Sequence, residues 1–164
     1  MNKRAQFLIK KIGSQKVGLM NIYAPNSSST RAGLWLSLAE YAGLADCWLV
    51  GGDFNMIEDA SNRIGGTTTT ISGWEAKCWD SFSFAFGLLD LWKVQSFSHI
   101  QGSLNFSRSN GSVVSAPLSQ LDRFYANSFF WDVGGSLSII PGSTIFDHDP
   151  LKLNVTFDKK RYYK

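Results

Sequence analysis

Acidic residues are absent from the first 39 positions of this 164-residue chain, although Lys3, Arg4, Lys10, Lys11, Lys16 and Arg31 all lie there. Cysteine is scarce too. Cys47 and Cys78 are separated by a mostly polar stretch, which makes neither a disulfide framework nor a zinc pattern, and both are read as reduced structural thiols. No run approaches the roughly 18 apolar residues that a membrane span needs. The apolar stretch Phe7, Leu8, Ile9 is interrupted by Lys10 and Lys11, so no signal peptide is visible and an intracellular location without a membrane partner is expected. Net charge is small: Lys+Arg 16 against Asp+Glu 13 gives +3, which excludes an obligate nucleic-acid coat or a polybasic membrane binder. Repeats, low-complexity tracts and linkers are lacking.

What is present is core material. With 44% hydrophobic residues, 6 Trp, 12 Phe and 5 Tyr, the chain can pack one domain but is too short for two ordinary ones. Between Glu40 and Asp90 the charge balance reverses, with eight acids against Arg63 and Lys77, before turning basic again at Lys159, Lys160 and Arg161. The basic ends could serve a polyanionic partner, or be no more than solvated faces and tails.

Ala5 to Ile12 and Val17 to Ala24, joined through Gly13, predict a hairpin. Ser29 or Thr30 can cap a helix over about 30–45 whose apolar positions are Leu34, Leu38, Tyr41 and Leu44. Cys47 to Val50 reads as a buried strand bounded by Gly51-Gly52 and ending at Asp53. Residues 57–70 read as a long surface loop, and Trp74 to Phe86 as a helix stopped by Gly87, with Cys78, Phe82 and Phe86 on one face. Leu88 to Trp92 reads as a short extended segment; strands are expected at 103–107, 118–125, 136–140 and 151–157. Trp35, Trp48, Trp74 and Trp79 are assigned to packing, and His99 to a polar loop. This order predicts a layered α/β sandwich with a mixed sheet.

Acid-rich clusters recur where apolar strands end. A carboxylate there escapes the core while a rigid element holds it, which suits metal binding or proton transfer. Three such segments, Gly51-Gly52-Asp53-Phe54-Asn55, Gln120-Leu121-Asp122-Arg123 and Asp147-His148-Asp149-Pro150, preceded by the acid-free segment Asn21-Ile22-Tyr23-Ala24-Pro25, occur in an order that resembles the endonuclease/exonuclease/phosphatase superfamily. The likeness spans residues 17–157 and is nearest to the nuclease domain of LINE-type retrotransposons, which is similar to apurinic/apyrimidinic endonucleases.

The resemblance implies a DNase I-like sandwich and Mg²⁺-dependent (or Mn²⁺-dependent) phosphodiester hydrolysis that nicks DNA. By the same resemblance, Asp53 handles a proton of the attacking or leaving oxygen; Asn55 binds phosphate or the nucleophilic water. His148 contacts the scissile phosphate, Asp122 orients His148, Tyr23 points its hydroxyl at the phosphate, and Asp147 belongs to the metal environment. Read without it, Asp53 and Asn55 could be turn formers, Asp122 a salt-bridge partner of Arg123 or Lys152, and Tyr23 a half-buried core residue.

Departures from the family pattern stand at Phe146, Asp149, Gln120 and Asn105-Phe106-Ser107. The larger one is upstream. The family's strand bearing Asn and its later metal-binding Glu precede the segment matching Asn21-Ile22-Tyr23, and here only twenty residues do, with Asn2 but no Glu or Asp. The expectation is therefore a partial domain over 1–158 with a basic tail at 159–164, a monomer of low stability. As this chain alone it is expected to be inactive or weak, and nuclear if of retroelement origin. The alternatives are a catalytically dead remnant that at most binds nucleic acid non-specifically, and a phosphatase or phospholipase of the same superfamily.

Overall fold

The computed structural model describes residues 3–64, 70–94, 97–100, 107–108, 118–131, 135–140 and 148–155. The predicted hairpin forms as β1 (Ala5–Ile12) and β2 (Gln15–Tyr23), turning at Gly13, whose φ of 61° suits glycine. Helix α1 covers Ser28–Ala39, shorter than the sequence suggests, and Ala42–Leu44 forms a separate 3₁₀ turn. That turn is held from outside the segment, by the Trp48 indole N–H donating to the Ala42 carbonyl at 2.9 Å.

Strand β3 (Cys47–Asp53) runs straight through the glycine pair instead of stopping before it. A side chain at Gly51 would enter the Phe124 ring, and one at Gly52, where φ is 135°, would strike the Ile22 carbonyl. Close approach of neighbouring strands, not a turn, is what these glycines serve.

The 57–70 loop contains a 3₁₀ turn, Ala60–Asn62, and β4 (Arg63–Ile64). The turn is closed reciprocally, since Asp59 accepts from Ser61 and Asn62 accepts from the Asp59 N–H. Helix α2 (Gly73–Phe86) ends at Gly87 in the left-handed region, as expected. Then follow β5 (Leu89–Asp90), a 3₁₀ turn at Leu91–Lys93, β6 (Phe97–Ile100) and β7 (Ser107–Arg108). His99 therefore sits in a strand, not a loop.

The expected strand 118–125 is two: β8 (Leu118–Ser119) and β9 (Asp122–Ala126), in different sheets. Between them the Gln120 N–H donates to the Asn62 carbonyl at 2.8 Å and the Leu121 carbonyl accepts from Phe54 at 2.9 Å, so the chain changes partners there. The described residues finish with α3 (Ser128–Trp131), β10 (Gly135–Ile139) and β11 (Leu151–Val155). The strand expected at 103–106, and Lys159–Lys164, lie outside the described residues.

The main sheet has the order β1-β2-β3-β9-β5 and is mixed: β2 and β3 are parallel, the other pairs antiparallel. A second sheet has the order β11-β10-β6, and a third, small one β4-β8-β7. One face of the main sheet packs Met20, Ile22, Trp48, Val50 and Tyr125 against α1 and α2 through Trp35, Leu38, Trp79, Phe82 and Phe86. Each such fully buried side chain contributes about 1.5–3 kcal/mol. The opposite face meets the second sheet through Ala126, Phe124, Leu137 and Leu153. Trp74, expected in packing, is 64% exposed at the start of α2. Cys47 and Cys78 are free and buried.

Candidate active site

Residues paired across adjacent strands project to the same side of a sheet. The register sets Tyr23 beside Asp53 and Asp53 beside Asp122, so the ends of β2, β3 and β9 present three of the expected site residues as one row. This row lies on the face away from the helices. The helix-side residue next to Asp53 is Phe54, fully buried against Trp35, Trp79 and Tyr125. Phe54 thus anchors the Asp53-Phe54-Asn55 segment and leaves its two polar neighbours on the partly exposed side.

Asn55 has φ of 48°, the one positive value at a non-glycine among the described residues, a conformation asparagine tolerates. Its backbone N–H donates to Asp53 Oδ1 at 2.8 Å, so the Asx turn belongs to Asp53. Its side-chain Nδ2 donates to the Ala24 carbonyl at 2.8 Å and to Asp53 Oδ2 at 3.1 Å. Both amide hydrogens are thereby used, and the outstanding function of the Asn55 side chain is its Oδ1 acceptor, suited to the hydrogen of a water.

His148 Nδ1 lies 2.6 Å from Asp122 Oδ2. A carboxylate only accepts, so Nδ1 carries the hydrogen of this contact. The imidazole is about one-third exposed and the carboxylate about one-fifth. Asp122 is thus the partner of His148 rather than of Arg123 or Lys152. Tyr23 is exposed, not core, and the Arg4 guanidinium stands over its ring at 5.0 Å from the centroid. Asp147 and Phe146 lie outside the described residues, as does Asn105-Phe106.

Arg123 points the other way. Fully buried, it approaches Asp90 at 3.3 Å and Glu58 at 3.2 Å and donates to the Gln120 carbonyl. Glu58 also accepts from the Tyr125 hydroxyl at 2.9 Å and from the Trp79 indole N–H at 3.3 Å. Burial pushes the Asp90 carboxyl up, against the pull of Arg123, and raises the Tyr125 phenol well above its ordinary value. Gln120 is buried and accepts from Asn62 at 3.0 Å. Arg4, Arg123 and Glu58 were not foreseen as supports of the site. The alternation of Asp122 and Arg123 along one strand is the signal that places them on opposite faces.

A divalent ion is implied by the family resemblance, and the described residues do not by themselves fit one. No three His, Cys, Asp or Glu side chains converge on a common point among them. Asp53 already accepts two hydrogen bonds from Asn55, and Asp122 accepts from His148.

Neither a protein-family model nor a curated protein sequence matches the chain. Solved structures do. The endonuclease domain of TRAS1, a telomere-specific non-LTR retrotransposon, superposes with a TM-score of 0.62 at 12% identity, over 95% of this chain and 65% of that one. An AP endonuclease from Archaeoglobus fulgidus gives 0.65 at 12% identity, over 92% and 65%. The 3′ phosphatase NExo from Neisseria, bound to a product DNA hairpin, gives 0.63 at 11% identity, over 94% and 71%. The chain spans about two-thirds of the length of these neighbours, and it shares their fold.

Proposed function

Starting from a chain with the DNase I-like fold of the endonuclease/exonuclease/phosphatase superfamily, we propose that its row of Tyr23, Asp53 and Asp122 with His148 is a phosphodiester-hydrolysing site of retroelement origin that nicks DNA. The reaction adds water to phosphorus and breaks one P–O ester bond. The observation that carries the reading is the 2.6 Å contact between His148 and Asp122, on a strand that sets Asp122 directly beside Asp53.

Each residue has a distinct part. Asp53 accepts the proton of the attacking water, which Asn55 Oδ1 orients. His148, held through Nδ1, turns Nε2 to the phosphate, and the adjacent carboxylate favours the imidazolium that offsets charge growing on the phosphoryl oxygens. The Tyr23 hydroxyl donates to a phosphate oxygen. No step is assigned to a metal, and weak activity is expected from this chain alone.

The test is incubation of the purified chain with supercoiled plasmid and Mg²⁺, beside His148→Ala and Asp53→Ala. Loss of a general acid or base typically lowers the rate by about 10²–10⁴-fold, so both variants should abolish detectable nicking. No nicking by the unaltered chain, or nicking that survives both substitutions, overturns the assignment. A parallel assay on p-nitrophenyl phosphate separates phosphomonoesterase action. DNA binding without turnover, weakening steeply with salt, identifies a dead remnant.

A further inference from the structure

The row of site residues has a fourth member, which lies outside every segment that carries the family resemblance. β1 and β2 pair Ala5 with Ile22, and the next rung outward sets Arg4 opposite Tyr23, whose backbone N–H donates to the Arg4 carbonyl at 2.8 Å. Residues opposite one another share a face. Across the sheet the row therefore reads Arg4, Tyr23, Asp53, Asp122, with His148 bonded to its last member. Arg4 is exposed, and its guanidinium stands over the Tyr23 ring, 5.0 Å from the centroid.

The order of charge along this row decides what it can bind. Asp53 and Asp122 contribute two carboxylates, and His148, when protonated, returns a single positive charge. A phosphodiester brings a further negative charge, so the row needs a second cation to attract its ligand rather than repel it. Arg4 is the cation of the row itself. Its contact with Tyr23 holds it through charge and consumes none of its N–H donors, and that planar donor fork matches phosphate oxygens bidentately. Neighbouring strands lie about 4.8 Å apart, which separates the Arg4 and Asp122 backbones by about 14 Å. A span of that length, with a cation at each end, accommodates two phosphates of one strand.

We propose that Arg4, stacked on Tyr23, binds the phosphate that flanks the scissile one, so that the site selects a nucleic-acid strand with at least two phosphates over an isolated phosphoester. Tyr23 stands between the two positions: its hydroxyl serves the scissile phosphate while its ring carries the cation for the next. Arg4 is thus a specificity-determining residue, acting on the ligand one nucleotide away from the reacting atoms. The inference rests on reading the row as a phosphodiester site. Its test follows binding rather than turnover, so the two readings can fail separately.

The probes are the thymidine dinucleotide TpT, with one phosphate, and the trinucleotide TpTpT, with two. Each is titrated into the full chain in the Mg²⁺ buffer of the nicking assay, and NMR shifts of Tyr23 and His148 report occupancy. A charged hydrogen-bonded contact should make TpTpT bind about tenfold tighter than TpT. Replacing one linkage of TpTpT by an uncharged methylphosphonate should remove that gain, a comparison that needs no protein variant. Arg4→Gln should bind TpTpT and TpT equally, bind TpT as the unaltered chain does, and be indifferent to the methylphosphonate. Arg4→Lys, which keeps the charge without the planar fork, should fall between the two. Lys10→Gln, on the same strand and about 20 Å away, should keep the full preference. Equal binding of TpT and TpTpT by the unaltered chain overturns the proposal, as does a gain that survives Arg4→Gln. An equal loss in Lys10→Gln overturns it in favour of general charge attraction, and weaker TpT binding in Arg4→Gln overturns it in favour of a contact with the scissile phosphate. A preference for TpTpT that depends on Arg4 in a chain that fails to nick plasmid upholds the subsite while refuting the hydrolytic reading.

Discussion

The two faces of the main sheet are built by different rules although the same strands make both. On the helix side, Trp35, Phe54, Trp79, Phe82 and Tyr125 interlock with ring centroids 4.9–6.0 Å apart, and the charges present are buried and paired. Arg31, for instance, binds Glu75 and also donates to the Pro25 and Asn26 carbonyls. On the other side, apolar rows give way to polar ones toward the strand ends, and the leucines on β1 and β2 are exposed. Aromatic packing is concentrated on the helix face, and the other face stays partly exposed over β1 and β2.

The sharpest way to break this contrast is to cut into the helix side. Phe54→Ala should cost about 3–5 kcal/mol in urea unfolding, enough to unfold a marginal domain. A cost under about 1 kcal/mol would show the aromatic cluster to be loosely packed. Next comes Glu75→Ala, which strands the buried Arg31 charge and should cost about 3 kcal/mol, while Arg31→Met with Glu75→Leu recovers most of it. If the double variant is as unstable as the single one, the pair is more than self-compensating. Third is the covered end of the opposite face, where burial, aided by the Asp46 carboxylate, pushes the Cys47 thiol up to about 11. A raised folded pKa gives stability that is present below the ordinary thiol value of 9.0 and lost as pH rises from there to about 11. Thermal midpoints should fall across that window and Cys47→Ser should flatten the fall; a flat profile in the unaltered chain would refute it. Smallest is Leu8→Ser at an exposed position of β1, expected within about 0.5 kcal/mol of the unaltered protein. A loss above about 1.5 kcal/mol would mean that this side chain is already covered.

How much of this was legible depended on range. The hairpin and α2 announce themselves through local punctuation: Gly13, Gly87 and regular apolar spacing. Asp53 and Asn55 stand at the end of an apolar strand, while Tyr23, Asp122 and His148 are singled out by the family resemblance, and the structure brings all five to one end of one sheet face. The break between β8 and β9 was hidden because Leu118 to Tyr125 reads as one extended run, and the bonds that divide it come from Asn62 and Phe54, more than fifty residues earlier. Short β6 and α3 carry too few residues for a periodic signal. The partners of Arg31 and Arg123 were equally hidden, since Glu75 is 44 residues away and Glu58 is 65. Arg31 reads as part of a solvated basic end and Arg123 as a possible partner of Asp122, and both are buried on other partners in the fold.

The alternation along β9 has a consequence for how the gene can change. Arg123 serves the interior, while its neighbours Asp122 and Phe124 serve the open face, one on His148 and the other over Gly51. Substitutions alter one of these duties at a time. Losing or gaining a single codon within 122–126 would exchange them all at once, driving a carboxylate into the aromatic cluster and lifting the guanidinium out of it. This segment should therefore accept point changes far more readily than a shift by one residue, and a shift by two would restore the facing but not the partners.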